Sequence, residues 1–361
     1  MKAFVKVGIV AGLAALARFA SAANTIEFQS KALSAALAES PRRNVAFSPL
    51  SFEIDAAVFG GAMDAISRAA VAETIGTLGD FETVYSQAAT NLLVARAFVL
   101  SDLRLARTAE RIKLAKSFAT QVCGHTPKGS AESYLKVAME GRMEDFSVPD
   151  LSIDRHYQFF DLVYDRIELP RNPSVRTGEG DFRCANGTRM SLKFLEGDFH
   201  CAIRRYGTFQ LIRLPLADER VLYLAVPDEG VSLADVASEL GGARLAVALA
   251  SFNAVGDPAL KSGVRRLSIP LFDICVETNL RPLMTAFKIP VRGFEEFHPE
   301  IYPVTLQQRM RLELAVAETD TPLRSRLVDP AVVRLDHPFL FHVIQLSNGM
   351  VREAGQFTGV Q

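Results

Sequence analysis

Residues 336–341 read DHPFLF, a charged and proline-containing turn that leads directly into apolar residues. The apolar run 339–346 has the length of a strand, and a second such run follows at 350–357. The residues Ser347-Asn348-Gly349 separate the two runs, and a short turn with Asn-Gly is typical of a β-hairpin. The chain is therefore predicted to end in an antiparallel hairpin.

Strand patterns continue towards the middle of the chain. Residues 182–202 alternate around Asn186-Gly187-Thr188, which predicts another hairpin. Further strands are predicted at 209–216, 221–226, 268–276 and 306–316. Apolar residues at helical spacing lie mainly in the first third, and helices are predicted at 24–39, 49–60, 67–78, 106–122 and 279–287. Segregated helices and strands, with no convincing linker or repeat, indicate one large α+β domain.

The amino terminus has the pattern of a secretory signal. Lys2 and Lys6 precede an apolar run at 7–17, and Ala20-Ser21-Ala22 supplies the small residues of a cleavage site. The run is too short to span a bilayer, and an ordinary N-terminal helix is the alternative interpretation. We expect a signal peptide at 1–22, a mature domain at 23–361, secretion, and no membrane insertion.

Charge and motifs exclude several function classes. The chain has 40 basic and 41 acidic residues among 361, so nothing indicates nucleic acid as a partner. No nucleophile elbow, zinc helix or phosphate loop occurs, and the four cysteines are scattered without metal-ligand spacing. We therefore predict no cofactor, no metal and no enzymatic activity, although a triad of distant residues stays open.

Segments spread over residues 24–361 resemble, in the same order, segments of the serpin family. They are NVAFSPLS at 44–51, GAMD at 61–64 with ETI at 73–75, NGT at 186–188, the strand at 211–215, AVPD at 225–228, and DHPFLF at 336–341, the most specific of them. The resemblance implies the serpin fold, with three β-sheets, a shell of about eight or nine helices and an exposed reactive loop. It also implies inhibition of serine proteases, by a cleaved loop that inserts into the main sheet and traps the enzyme.

The resemblance places the reactive loop between about Glu318 and Leu335. Counting back from Asp336 places the reactive bond at Arg326-Leu327, with Arg324 as a nearby candidate, and arginine suits trypsin-like proteases. The hinge, which would enter the sheet first, comprises Glu318, Thr319, Asp320, Thr321 and Pro322.

The hinge departs from the family pattern of a glycine followed by alanines. Glu318 stands where the family has Gly, Pro322 would remove a hydrogen bond from a central strand, and the loop is shorter than in a typical inhibitor. Alternation of Thr319, Thr321 and other neutral residues with charged ones still suits a strand. Two hypotheses follow: a serine protease inhibitor, or a non-inhibitory serpin that acts as a binding or decoy protein.

The resemblance also indicates where the main sheet would open. Ser48 and Ser51 flank Pro49 at a predicted helix start, where a hydroxyl can also cap the helix. Asp161 replaces the asparagine of a family segment, and either Gln307 or Gln308 stands where inhibitors commonly have histidine. We therefore assign Ser48, Ser51 and Asp161 to the sheet-opening region.

Asn186 begins the sequon Asn186-Gly187-Thr188 on a predicted hairpin tip. A glycan at such a tip would remain in solvent, and an unmodified turn is the alternative. We predict glycosylation of Asn186 in a eukaryotic host.

Overall fold

Two β-sheets and six α-helices make up most of the regular structure of the described residues, with a short 3-10 helix at Ser251–Asn253. The computed structural model describes residues 28–62, 69, 92–102, 120–124, 130–151, 155–253, 260–291, 300–320, 327–347 and 349–360. These include 14 strands. The α+β class is confirmed, but the described residues contain six helices, fewer than the eight or nine that the resemblance implies, and form two sheets instead of three.

The helices are α1 at 28–39, α2 at Pro49–Ala62, α3 at Ser130–Ala138, α4 at Leu233–Glu239, α5 at Ala243–Ala250 and α6 at Leu280–Ala286. The helices predicted at 49–60 and 279–287 are confirmed. The helix predicted at 67–78 lies outside the described residues except for residue 69, which is helical. The end of the helix predicted at 106–122 is wrong, because from Thr120 the chain pairs with a neighbouring strand. In no helix of the described residues do length and apolar character suffice to cross a membrane.

The smaller sheet has five strands in the order β10-β11-β4-β2-β3. They are β2 at Leu93–Leu100, β3 at Thr120–Gly124, β4 at His156–Arg171, β10 at Asp273–Asn279 and β11 at Tyr302–Asp320. Strands β4 and β11 are parallel neighbours, paired from Tyr302 with His156 to Val316 with Leu169 and, after an irregularity, at Asp320 with Arg171. We call this β4–β11 contact the seam.

The larger sheet has nine strands in the order β1-β14-β13-β8-β7-β6-β9-β12, with β5 also paired to β6. They are β1 at Val45–Phe47, β5 at Arg176–Arg183, β6 at Arg189–Tyr206, β7 at Phe209–Pro215, β8 at Arg220–Pro227, β9 at Leu260–Pro270, β12 at Leu327–Arg334, β13 at Phe339–Gln345 and β14 at Val351–Phe357. The antiparallel pairs β5–β6 and β13–β14 confirm both predicted hairpins.

The long strand β6 explains why two of the expected sheets are one. Its 18 residues pair with β5 near one end, with β9 along the middle and with β7 near the other end. The ladder of backbone hydrogen bonds therefore continues from β12 to β1 without a break.

The strand predicted at 268–276 is in fact two strands of different sheets. β9 ends at Pro270 and β10 starts at Asp273. Between them, buried Phe272 stacks on Phe341 and Phe357 of the larger sheet. The sequence did not reveal this break, because β9 and β10 both contribute apolar residues to the same core and the apolar pattern therefore continues across 268–276.

Apolar residues cover both faces of β4. One face packs Phe159 and Ile167 into the cores beneath α2 and between the sheets, and the other packs Phe160 and Leu162 under α3. A strand buried on both faces is expected at the centre of a sheet. Asp161 and Asp165 of β4 therefore lie inside the protein, whereas Arg166 and Arg171 of the same strand are exposed.

Candidate functional site

The first hinge residues form the end of strand β11. Ala317 is buried, whereas Glu318 and Thr319 are exposed, and Asp320 still pairs with Arg171 of β4. The remaining predicted hinge residues, Thr321 and Pro322, lie outside the described residues.

The connection from the smaller to the larger sheet is short. β11 ends at Asp320 and β12 begins at Leu327, so six residues, 321–326, join them. Leu327 pairs in parallel with Val264 of β9, and β12 is the last strand in the order of its sheet. The loop expected from Glu318 to Leu335 therefore includes the end of β11 and the whole of β12 as well as this connection.

Arg324 and Arg326, the arginines predicted to precede the cleaved bond, belong to the connection 321–326. Arg324 and Arg326 fall outside the described residues, and Leu327 is the first residue of β12. The assignment of the reactive bond to Arg326-Leu327 stays a prediction.

The predicted sheet-opening residues meet in a buried polar cluster at the seam. Ser48 Oγ donates to the Arg352 carbonyl at 2.7 Å and accepts from the Ser51 N–H at 3.1 Å. Gln308 Nε2 donates to Asp161 Oδ2 at 2.8 Å, across the seam from β11 to β4. The Ser48 N–H donates to Gln308 Oε1 at 2.7 Å. Of the two glutamines left open by the sequence, Gln308 is the one in the cluster.

Two charged residues of this cluster were missed by the sequence analysis. Arg96 of β2 donates through Nε to Asp55 Oδ1 of α2 at 2.6 Å, and its Nη2 bonds the Ser51 hydroxyl. Arg96 Nε also lies 3.4 Å from Asp161 Oδ1. A usable signal was present, since each residue is a charge within an apolar segment, PLSFEIDAAVFGGA or LVARAFVL. We call these residues the seam cluster: Ser48, Ser51, Asp55, Arg96, Asp161 and Gln308.

Burial dominates the electrostatics of the seam cluster. Asp55 and Asp161 are fully buried and Arg96 is 2% exposed. Burial, followed by the nearby charge of Asp161, raises the pKa of Asp55 well above its ordinary value. Burial alone would lower the pKa of Arg96, but the two aspartates raise it, so the guanidinium is charged.

A second buried group of charges lies on the same face of β4. Asp165, four residues from Asp161, accepts a hydrogen bond from Arg220, whose Nη2 also donates to the Arg166 carbonyl at 3.1 Å. Glu353 of β14 is buried nearby, and burial followed by the charge of Asp165 raises its pKa well above the ordinary value. Buried acidic residues at and beside the seam thus include Asp55, Asp161, Asp165 and Glu353.

The sequon at Asn186 forms the turn between β5 and β6. Asn186 is exposed, and its Oδ1 accepts from the Thr188 N–H at 3.0 Å and from the Thr188 hydroxyl at 2.7 Å. Gly187 has φ +84°, which favours glycine. The turn is accessible to an enzyme that would attach a glycan.

Within the described parts of the chain, no group of His, Cys, Asp and Glu side chains is arranged to hold a metal ion. All four cysteines are free, and Cys275 is exposed whereas the other three are buried.

The fold matches solved structures over nearly its whole length, although the sequence matches no protein-family model and no curated protein. The chain is similar to native protease nexin-1 with heparin, with a TM-score of 0.77, 16% identity, and coverage of 94% of this chain and 99% of that one. It is similar to SRPN18 from Anopheles gambiae, with a TM-score of 0.76, 16% identity, and coverage of 94% and 98%.

A third match is the thermophilic serpin tengpin in its native state, with a TM-score of 0.76, 15% identity, and coverage of 93% of both chains. Identities this low establish shared architecture, and the architecture agrees with the order of the sequence segments at 44–51, 186–188 and 336–341. The chain described here has the serpin fold.

Proposed function

We propose that this is a secreted protein that acts on serine proteases of trypsin-like specificity and catalyses no reaction of its own. The observation that carries the proposal is the connection 321–326, which joins β11 to β12 and contains Arg324 and Arg326. Serpins present the bait for a protease in this connection, and arginine fits a protease pocket that holds a carboxylate. The signal pattern at 1–22 supports secretion.

The length of the connection argues against complete trapping of the protease. An inserted strand would have to run between β4 and β11, whose ladder covers about 15 residues or roughly 50 Å. Cleavage at Arg326-Leu327 would free 321–326 and a few hinge residues, which as a strand reach roughly 20–26 Å. The loop would therefore fill about half of the seam, and Pro322 would remove one hydrogen bond from that half.

A second candidate function is binding without inhibition, as a binding or decoy protein. Glu318 in place of glycine, Pro322 and the six-residue connection favour it over covalent trapping. Both candidate functions predict that few stable covalent complexes with a protease form. They differ in whether a protease recognises the connection 321–326.

Equimolar incubation with trypsin, followed by denaturing electrophoresis and mass measurement, tests the proposal. We expect cleavage after Arg324 or Arg326 in the folded protein, and little or no denaturant-resistant adduct. The double variant Arg324→Gln/Arg326→Gln should lose this cleavage. Arg334→Gln, a change at an exposed arginine of β12, serves as the matched control and should be cleaved like the wild type.

The outcomes distinguish the hypotheses. A large fraction of adduct with the summed mass of both proteins would show that trapping is efficient and contradict the insertion argument. Cleavage only at other sites, with 321–327 intact, would reject the bait role and leave the binding function as the better candidate.

A further inference from the structure

The seam cluster places two carboxyl groups beside a single guanidinium. Asp55 comes from α2, Arg96 from β2 and Asp161 from β4, and Gln308 reaches them from β11. Arg96 Nε lies 2.6 Å from Asp55 Oδ1 and 3.4 Å from Asp161 Oδ1. If both aspartates were ionised, the cluster would carry a net charge of −1 in a fully buried site, which is costly.

Among the residues that the structure describes, the arginines on the surrounding elements are paired with other carboxyl groups. On β14, Arg352 Nε lies 3.4 Å from Glu353 Oε1, and on β8, Arg220 pairs with Asp165 of β4. On α2, Glu53 accepts a hydrogen bond from Gln29 of α1. Tyr134 of α3 is a further titratable group near Arg96, and it adds no positive charge.

One carboxylate oxygen of each aspartate has no hydrogen-bond partner. These two atoms are Asp55 Oδ2 and Asp161 Oδ1, and both are buried. The other two oxygens accept from Arg96 Nε and Gln308 Nε2. The amide of Gln308 cannot rotate to change this, because its Oε1 accepts the Ser48 N–H.

A single proton on this pair of aspartates would remove both the excess negative charge and the lack of hydrogen-bond partners. The two carboxyl groups converge on the same atom, Arg96 Nε, with Asp55 Oδ1 at 2.6 Å and Asp161 Oδ1 at 3.4 Å, and the interaction between them contributes to the raised pKa of Asp55. A proton on either group would donate to the other, satisfy the two unpartnered oxygens and bring the net charge of the cluster to zero.

We propose that Asp55 and Asp161 hold one shared proton at neutral pH, and that this proton closes the seam between β4 and β11. Its loss at alkaline pH leaves a negative charge buried beside Gln308, the residue that joins the two strands. The five-stranded sheet then becomes less stable. The inference rests on the cluster alone and stands whether or not a protease is the partner.

Asp161→Asn tests the proposal, because an amide carries permanently the hydrogen that the proton supplies. The introduced amide can donate to Asp55 Oδ2 through its nitrogen and accept from Gln308 Nε2 through its oxygen. On unfolding at neutral pH the wild type should release about one proton more than this variant, because an unfolded aspartate is ionised. Calorimetry in buffers of different ionisation enthalpy measures the difference.

Asp55→Asn provides a second, independent variant, in which the amide would lie on the other side of the pair. It should show the same loss of about one proton, since the two carboxyl groups titrate as a unit. Asp273→Asn, which removes an exposed aspartate of β10, is the matched control and should leave the proton count unchanged. If both Asp161→Asn and Asp55→Asn fold and release as many protons as the wild type, the shared proton does not exist.

The thermal melting curve gives a readout that does not require counting protons. As pH rises from 5 to 9, the wild type should lose stability relative to Asp161→Asn, because its folded state holds a proton that its unfolded state releases, and a rising pH favours that release. Parallel melting temperatures over this range would overturn the proposal. If neither variant folds, infrared spectroscopy of Glu353→Gln at neutral pH decides, since this change removes the other buried acid with a raised pKa. A protonated buried carboxyl absorbs apart from carboxylates, and the absence of that band rejects the idea.

Discussion

At the scale of single residues, the core of this protein contains fully buried titratable groups whose pKa is shifted from the ordinary value. Asp55 and Glu353 are fully buried acids with raised pKa, and His342 is a fully buried base with a lowered pKa. All three shifts have burial as their largest cause. The stability of the fold should therefore depend on pH in both directions.

His342 predicts sensitivity to acid. It lies on β13 between Tyr223 of β8 and Ala354 of β14, its Nδ1 has no partner, and burial lowers its pKa from 6.5 to about 4. Between these values the unfolded chain binds a proton that the folded chain does not, so stability falls as pH falls. Over the whole interval the loss amounts to about 3 kcal/mol.

Denaturant unfolding between pH 7 and pH 4.5 checks this prediction with His342→Leu. The variant should lose less stability on acidification than the wild type does. His200→Leu, at an exposed position of β6, should keep the acid sensitivity of the wild type. An equally steep pH dependence in wild type and His342→Leu would contradict the role of His342.

At the scale of elements, the relation between β11 and β12 decides how the protein can respond to cleavage. Both strands are formed in the intact chain, and six residues separate them. In the family mechanism the stability gained on cleavage comes from a new central strand. Each added backbone hydrogen bond contributes about 0.5–1.5 kcal/mol, and 1 kcal/mol shifts the melting temperature of a large domain by about 2–4 °C.

Cleavage of the connection should accordingly raise the melting temperature only a little. The freed strand covers about half of the seam, and Pro322 lies within it. We expect protein nicked between Arg324 and Val328 to melt within roughly 10 °C of the intact protein. Differential scanning calorimetry of both forms measures this.

A variant with a longer connection is the matched test of the same argument. Pro322→Ala combined with six inserted residues of alternating threonine and alanine should allow a nicked loop to fill the seam. Its melting temperature should rise on cleavage much more than that of the wild type. A rise of tens of degrees in the nicked wild-type protein would show that the native connection is long enough and reject this prediction.

At the scale of the whole molecule, two sheets share one core and leave the hairpin tip at Asn186 in solvent. β4 is buried on both faces, and the continuous nine-stranded sheet carries the β5–β6 hairpin. The sequon is formed by that turn and not by a core segment. The turn joins β5 to β6, and neither strand belongs to the seam.

Expression with its own amino terminus in a eukaryotic secretory host should therefore give a glycosylated protein cleaved after Ala22. Treatment with a glycosidase should reduce the mass, and Asn186→Gln should abolish that reduction while the melting temperature stays the same. Thr188→Ser, which keeps the sequon, is the control. Retention of residues 1–22, or an unchanged mass after glycosidase treatment, would contradict export or modification respectively.

The sequence by itself determined the elements whose pattern is local. Alternation around Asn186-Gly187 and around 347–349 predicted both hairpins, and Asn279 correctly marked the start of α6, where its side chain accepts the Arg281 N–H. The segments that resemble serpin segments predicted the fold, because their order along the chain can be recognised from the sequence without tertiary information.

Only the tertiary structure decided the properties that depend on distant pairs. The order of the strands splits 268–276 between two sheets, and the pairing of β12 with β9 shortens the connection to six residues. Arg96 and Asp55 are 41 positions apart and Gln308 and Asp161 are 147 apart, so no local pattern could join them. The charge of a buried cluster depends on which groups folding brings together. When those groups are distant in the sequence, no local pattern predicts their contact.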